Sequence, residues 1–457
     1  MFPLIDPATD QVLERIPAHS AAEVEARVAR AQAAQAEWRA LPFSARAEVL
    51  RAAAERLRDE AAAHAGRMAR EMGKVLAEGR AEAEKCAWVL EHYAAHAEAF
   101  LADEPVEAGL KESRVVHRPL GVVLAIMPWN FPYWQVFRFA APGLMAGNAV
   151  LLKHAPRTMG CGLAIEALML QAGLPQGVLQ ALCVEEAAVP ALIADPRVAA
   201  VTMTGSERGG RAIGGMAGAA LKKSVLELGG SDAYLVLDDA DVGLAVDLCA
   251  KARLLNAGQS CIAAKRFIVL PKVRADFEAG LVERFRKTTF GDPTTDVSMG
   301  PMARHDLRDQ LHAQVEASVA GGARVAVGGA VPEGPGSFYP ATVLVDVPGR
   351  GVPAADEELF GPVAAIIPVR DEAEAVAVAN GSRFGLGGAV FTRDEARGLE
   401  LATRVLESGV CVVNDFVRSD PRLPFGGVKA SGYGRELGRA GILEMVNIKT
   451  VGLGRSP

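Results

Sequence analysis

Leu120-Gly-Val-Val-Leu-Ala-Ile-Met127-Pro-Trp-Asn130-Phe-Pro-Tyr-Trp-Gln-Val-Phe137 carries no charge over a length close to that of a membrane span. Pro128, Asn130, Pro132 and Gln135 interrupt it, with Pro119 just before. A lipid-exposed helix does not carry that punctuation. The stretch therefore reads as a buried strand over Val122–Met127, a stiff turn, and the start of a buried helix. Similar short apolar runs follow at Ala149–Leu152, Val178–Cys183 and Val198–Met203. Helical segments separate them at Phe137–Met145, Met159–Ala172 and Arg208–Ala220. Strands that are apolar throughout and alternate with helices predict a parallel, doubly wound sheet, buried on both faces.

Outward from that core, the first hundred residues read as helices. Ser20-x-x-Glu23 is a capping box ahead of Val24, Val28 and Ala31, and Ala45–Met72 and Arg80–Phe100 continue with a helical period. Downstream, Tyr234–Leu237, Val242–Leu255, Phe267–Leu270 and Val273–Lys287 repeat the strand–helix alternation. A third block runs from Val363 through Val390 to Gly409–Asn414. The expectation is an α/β chain with two doubly wound units in series.

The whole chain has 457 residues, enough for about three structural units at roughly 150 residues each. Half of the residues are apolar, which excludes disorder as the main state. The net charge of −6 makes a phosphate-backbone ligand a poor fit, so no nucleic-acid partner is expected. The N-terminus lacks the basic and apolar regions of a signal peptide. Six cysteines are too sparse for a disulfide scaffold and read as reduced thiols of a cytoplasmic protein.

Several windows carry chemistry. In Asn256-Ala-Gly-Gln-Ser-Cys261 small neighbours leave the thiol room, and Lys265 and Arg266 supply positive potential that would lower its pKa. Taken alone, an inert buried cysteine fits as well. Glu227, in Val225-Leu-Glu-Leu-Gly-Gly230, puts a carboxylate into an apolar strand, a costly position unless it is used or paired. Gly229 and Gly230 leave space beside it for a backbone or a ligand. Asn130 sits between two prolines at a strand end, placed to donate a hydrogen bond into a crevice. Thr204-Gly-Ser-Glu-Arg-Gly-Gly210 opens a helix where a phosphate can approach, and Lys153 ends a strand where a ribose or phosphate can bind. His92 and His96 share a helix face but lack a third ligand, so no metal is expected.

Order and spacing say more than any single window. Pro128–Pro132, Lys153, Gly205-Ser206, Glu227–Gly230, Gly258–Cys261, Glu358-Leu-Phe-Gly-Pro362 and Pro424-Phe-Gly-Gly-Val-Lys429-Ala-Ser-Gly432 follow one another, with Cys261 34 positions after Glu227. In this the chain resembles the NAD(P)-dependent aldehyde dehydrogenase superfamily along essentially its whole length. Leu152–Pro156, Glu227–Asp232 and Cys261–Phe267 are most similar to the bacterial succinate-semialdehyde dehydrogenase branch. The resemblance implies Cys261 as nucleophile, Asn130 with the Cys261 N–H as oxyanion donors, and Glu227 as the base for deacylation. It implies a dinucleotide along Trp129, Asn130, Lys153, His154, Ala155, Pro156, Gly205, Ser206 and Leu228, with Glu358 and Phe360 at the nicotinamide end. Many NAD-selective relatives carry a Glu where this chain has Pro156, and Arg157 adjoins, so NAD and NADP are both expected.

For the substrate the resemblance implies Arg138 on the distal carboxylate of succinate semialdehyde, with a contact from Ser419 and charge from Arg418 or Arg422. A second Arg of some members falls at Leu255 here. A resolving cysteine of others falls at Ile262 or Ala263. Another small aldehyde, aliphatic or aromatic, is the alternative substrate. A CoA-acylating enzyme and a non-catalytic protein of the same fold are further readings. If Arg138 serves only the carboxylate, Arg138→Leu raises KM for succinate semialdehyde and leaves uncharged aldehydes alone. The expected architecture is a Rossmann-like NAD(P)-binding domain (1–101 and 119–228) and a catalytic domain (229–422). A small β oligomerisation element (102–118 and 423–457) would build a homodimer or homotetramer.

Overall fold

A computed structural model describes residues 1–454. The last three residues of the expected C-terminal segment, 455–457, lie outside the described residues. The predicted strand Val122–Met127 forms over those residues and lies at the centre of a six-stranded sheet. The order across that sheet is Gly432–Tyr433, Lys223–Glu227, Val198–Thr204, Val122–Met127, Ala149–His154, Leu179–Ala181. All neighbours are parallel except the antiparallel edge strand Gly432–Tyr433. Chain order reverses between Val122–Met127 and Val198–Thr204, and doubly wound sheets bind ligands at such a reversal, beyond the carboxyl ends of the strands.

The second sheet has seven strands in the order Arg324–Val327, Thr342–Val345, Val363–Pro368, Ala264–Val269, Asp232–Val236, Gly387–Phe391, Val410–Val413. Again only an edge strand, Arg324–Val327, is antiparallel. The α/β expectation of two doubly wound sheets holds, because fully apolar strands need helices on both faces. The crossing from one sheet to the other is only Leu228-Gly-Gly-Ser231. Glu227 ends the last parallel strand of the first sheet, and Asp232 starts the second.

A third sheet is antiparallel: Val446–Leu453 pairs along Glu112–Pro119, which pairs with Glu104–Pro105. Ile448, Val451 and Leu453 on its edge strand are exposed. The Ser20–Glu23 capping box opens the helix Ala21–Trp38. Ala45–Met72, read as one helical stretch, divides into Phe43–Asp59 and Ala61–Met72 because the backbone leaves the helical region at Glu60. A hairpin of Phe2–Ile5 with Val12–Ile16 was not anticipated. No helix among the described residues is long and apolar enough to cross a membrane.

Candidate active site

The carboxyl edge of the first sheet gathers the expected residues. Asn130 follows Val122–Met127, Lys153 is the penultimate residue of the strand Ala149–His154, Gly205 and Ser206 follow Val198–Thr204, and Glu227 ends Lys223–Glu227. Facing them is the loop before Ala264–Val269, which carries Cys261.

That loop is held in an unusual shape. Asn256, Ala257 and Gly258 have φ of 55°, 52° and 71°, a left-handed run that includes two residues with a Cβ. Such a conformation costs about 1–3 kcal/mol per non-glycine residue and persists only where its surroundings enforce it. Here Glu78 accepts the Asn256 N–H at 3.1 Å, and the Arg253 guanidinium donates to the carbonyls of Gly258 (2.7 Å) and Gly361. Gln259 adds Nε2 to Asn256 O at 3.1 Å and accepts the Ala303 N–H at 2.9 Å. Only glycine fits at 258, where a Cβ would strike the Gly361 carbonyl. Arg253 is wholly buried and burial pushes it down to about 9. Neither Glu78 nor Arg253 stood out in the sequence. Both lie in helices that carry other charges, so nothing local marks them out.

Asn130 reaches this loop directly: its Nδ2 donates to Gln259 O at 3.0 Å, while Asn256 Nδ2 donates to Asn130 O at 2.8 Å. The amide thus sits two residues from Cys261. Cys261 is half-buried and packs against the apolar cluster that contains Tyr133, Trp134 and Phe425. Burial pushes its thiol up to about 12, while Arg138 and Lys265 pull it down and Glu358 and Glu227 push it further up. The expectation of a lowered thiol pKa is therefore corrected for this state, since desolvation outweighs the two cations. Arg266 contributes nothing there; it turns away to donate to the carbonyls of Ser231, Val378 and Ala379. Lys265 is a brace for the loop, donating to the carbonyls of Ser260 (2.9 Å) and Cys261 (2.7 Å) and lying 3.4 Å from Glu358.

Glu227 is 2% exposed, and neither carboxyl oxygen has a hydrogen-bond partner among the described residues. Burial holds its pKa well above the ordinary value; Arg138 opposes this and Glu436 adds to it. The glycine pair beside it leaves space, as expected, but protein fills that space. A Cβ on Gly229 would meet the Glu358 carboxylate, and one on Gly230 would lie 2.8 Å from Cys261 O. The sheet crossing can therefore lie flat against the cysteine loop, which is how residues far apart in sequence come into mutual electrostatic range.

Arg138 departs from its expected role as a free cation. It is 2% exposed, ion-paired with the equally buried Glu436, donates to Thr204 Oγ1 at 3.3 Å and lies 4.8 Å from the Phe425 ring centroid. Arg418 and Arg422 are exposed and held by Asp415 and Asp420. Leu255 is exposed as well. Ser419 is buried and accepts a hydrogen bond from Lys85 Nζ at 2.9 Å.

The residues expected along a dinucleotide divide into two groups. Ser206 caps the helix Glu207–Ala219, accepting the Gly209 N–H at 3.2 Å, so that helix's N-terminus faces the crevice edge with its N–H groups. Trp129 and Phe360 meet edge to face at 5.8 Å, and Leu228 is buried beneath Gly210. Lys153 is buried without an ion pair; burial lowers its pKa, and Glu185 and Glu186 are its charged neighbours. Glu358 accepts the Gly230 N–H at 3.0 Å. A buried ammonium without an ion pair among the described residues and a helix N-terminus on the same sheet edge fit an anionic, hydroxyl-rich ligand. Ala155 and Pro156 form the entry to a short turn, Pro156–Thr158. The ring of His154 is the exception. It is wholly buried with Nε2 on Pro132 O (2.9 Å) and Nδ1 on Thr158 Oγ1 (3.0 Å), so it serves the scaffold and no ligand. Among the described residues no cluster of His, Cys, Asp or Glu is arranged for a metal ion, and His92 and His96 stack at 4.5 Å.

The pattern of the aldehyde dehydrogenase family matches residues 1–451. The chain belongs to the aldehyde dehydrogenase family. It is 47% identical to a probable NADP(+) succinate-semialdehyde dehydrogenase of Synechocystis sp. over 98% of both chains. It is 46% identical to the NAD(P)+ succinate semialdehyde dehydrogenase Sad of Escherichia coli, over 98% of this chain and 96% of that one. Among solved structures it is similar to succinic semialdehyde dehydrogenase of Streptococcus pyogenes in complex with NADP+ (TM-score 0.97, 35% identity, 100% of both chains).

Two outcomes test this electrostatic arrangement. The Glu227 pKa is raised on folding, so ionising it costs stability as pH climbs above its unfolded value near 4.5. Glu227→Gln should match the wild type in thermal midpoint at about pH 4.5 and exceed it increasingly toward neutral pH. Calorimetry across pH checks this, and a constant offset would contradict it. Arg138→Leu leaves Glu436 buried and unpaired, and loss of one member of a buried pair typically costs about 3–5 kcal/mol. Urea unfolding should show that loss, and turnover of uncharged aldehydes should fall too, contrary to the selective effect expected from sequence.

Proposed function

We propose that this enzyme oxidises succinate semialdehyde to succinate with NAD+ or NADP+. The observation that carries the reading is Glu227: a buried carboxyl with two unpartnered oxygens, in electrostatic contact with the Cys261 thiol. An orphaned buried acid beside a thiol is expensive as structure and useful as a base.

In the proposed sequence the Cys261 sulfur, as thiolate, attacks the aldehyde carbon. The Asn130 amide and the Cys261 N–H donate to the oxyanion that forms; Asn130 Nδ2 would exchange its bond to Gln259 O for this one. The dinucleotide, when bound, would supply the acceptor for the aldehyde's hydride. The acyl group is then a thioester on Cys261, and Glu227 removes a proton from the water that cleaves it. Aldehyde, water and NAD(P)+ give carboxylic acid, NAD(P)H and a proton, with the thiol regenerated. Lys153, the N-terminus of Glu207–Ala219, Trp129, Gly205, Leu228, Glu358 and Phe360 would hold the dinucleotide. Pro156 supports acceptance of both cofactors, because no carboxylate stands there to repel a 2′-phosphate. Water as acyl acceptor, rather than CoA, follows from Glu227.

The substrate reading leans on relatives at 46–47% identity that bear this name. Residues 1–101 with 119–228 would form the NAD(P)-binding domain and 229–422 the catalytic domain. The antiparallel element would carry a homodimer or homotetramer, and its exposed edge strand Val446–Leu453, with Ile448 58% exposed, supports that. Six free cysteines, one of them needed reduced, favour the cytoplasm.

Mixing enzyme with saturating succinate semialdehyde and NADP+ should give a rapid rise of NADPH that Cys261→Ala abolishes. Glu227→Gln should keep one turnover and lose the steady state; full steady-state turnover in that variant would refute the role of Glu227. A kcat/KM panel of aldehydes with and without a distal carboxylate, against each cofactor, tests the substrate. Sedimentation velocity should show no monomer at micromolar concentration, and a monomer would refute the assembly.

A further inference from the structure

Arg138, the cation expected to bind the substrate's distal carboxylate, is already occupied by Glu436. Arg418 and Arg422 are exposed and paired with Asp415 and Asp420, and the position of the second family arginine is Leu255. A further cation stands beside the cysteine's apolar cluster. Lys85, on the helix Leu76–Phe100, is half-buried. Its Nζ donates to Ser419 Oγ at 2.9 Å and lies 4.3 Å from the centroid of the Trp134 ring. Trp134 belongs to the cluster against which Phe131, Cys261 and Ile262 pack.

Lys85 has no carboxylate of its own among the described residues. Its acidic neighbours are Glu82 and Asp420. Glu82 is committed to Lys74 and to the N–H groups of Tyr133 (2.9 Å) and Trp134 (3.0 Å), and Asp420 to Arg422. Burial and the nearby Arg138 push the Lys85 ammonium down to about 8, so it is still charged at neutral pH but held at a cost. A desolvated ammonium with only a hydroxyl and an aromatic face as partners lacks an anion. A hydroxyl 2.9 Å away supplies a second donor for the same anion.

We propose that Lys85, with Ser419, binds the distal carboxylate of the aldehyde substrate. The inference rests on the succinate-semialdehyde reading and assigns its specificity to a residue on the N-terminal helical layer. Arg138 then acts as a positioning residue for Glu436 and Glu227, adding positive potential without giving up its ion pair.

The test is the ratio of kcat/KM for succinate semialdehyde to that for butanal, measured in wild type, Lys85→Met, Lys85→Gln, Lys85→Arg and Ser419→Ala. Lys85→Met and Lys85→Gln should lower the ratio at least tenfold, chiefly through KM for succinate semialdehyde. Lys85→Arg should restore much of it, and Ser419→Ala should lower it less. Lys85→Gln keeps a hydrogen-bond donor for Ser419, so it separates loss of charge from loss of packing; thermal midpoints and NADP+ binding report folding. Succinate, as a dead-end competitor of the aldehyde, should lose affinity in the same variants. A ratio unchanged in both charge-removing variants, with wild type favouring succinate semialdehyde, overturns the role of Lys85 alone. A wild type with no such preference overturns the substrate reading and this inference with it.

Discussion

Two carboxyl groups, Glu227 and Glu436, are buried beside one equally buried guanidinium, Arg138, with Arg435 a lesser influence on Glu227, and the architecture of the site follows from that imbalance. A low-dielectric interior does not hold two ionised acids against one cation without penalty, so burial raises the pKa of both. Arg138 pairs directly with Glu436, while Glu227 keeps both oxygens free. The division has chemical content: the paired acid anchors the cation, and the unpaired acid remains available to take a proton. Thr204 and Phe425 hold the guanidinium from the first sheet and from the C-terminal segment, so this one side chain links three parts of the chain.

Bringing Glu227 to the thiol requires the two sheets to meet closely. The crossing Leu228–Ser231 is too short to wander and has no Cβ at its two middle positions. It lies against the cysteine loop on one side and Glu358 on the other. The C-terminal strand Gly432–Tyr433 closes it by pairing with Glu227 and Leu226, and Ser431 Oγ donates to Gly229 O at 2.7 Å. Across the gap, the left-handed run Asn256–Gly258 turns the chain from the helix Val242–Leu254 into the cysteine loop. Its strain is stored because Arg253, wholly buried, and Glu78, half-buried, pair with backbone groups that the turn leaves free.

The sheets were readable from sequence because a strand buried on both faces needs a continuous apolar run, and Val122–Met127 shows one without ambiguity. The capping box was readable because Ser20 and Glu23 act on each other locally. Local signals also explain the boundaries that moved: Leu76 begins its helix earlier than the charged residues around Arg80 imply, and Glu60 divides one apparent helix into two. The partners of buried charges were not readable. Nothing near Arg138 announces Glu436, nothing near Asn256 announces Glu78, and Lys85 looks like a solvated position on an amphipathic helix until Ser419 and Trp134 fold over it. For the same reason His154 and Arg266 looked like ligands or modulators when they are struts. A charged residue in an apolar window says that something polar meets it, and only the tertiary structure says whether that is protein or substrate.

Glu227 also raises the pKa of the thiol, and on the proposed mechanism this repulsion sets the order of events. Ionising both at once is opposed, so a thiolate at Cys261 favours a protonated, neutral Glu227, which does not repel a carboxylate-bearing substrate arriving beside it. Once the sulfur carries the acyl group it bears no charge, and the penalty it placed on Glu227 disappears. The acid then ionises more readily at the stage when a base is needed for water. Arg138 lowers the two pKa values together and so favours the ionised form of each group without choosing between them. A cation committed to Glu436 can do this steadily through the cycle. A cation that bound and released the substrate carboxylate could not, which is the physical reason to separate the two tasks between Arg138 and Lys85.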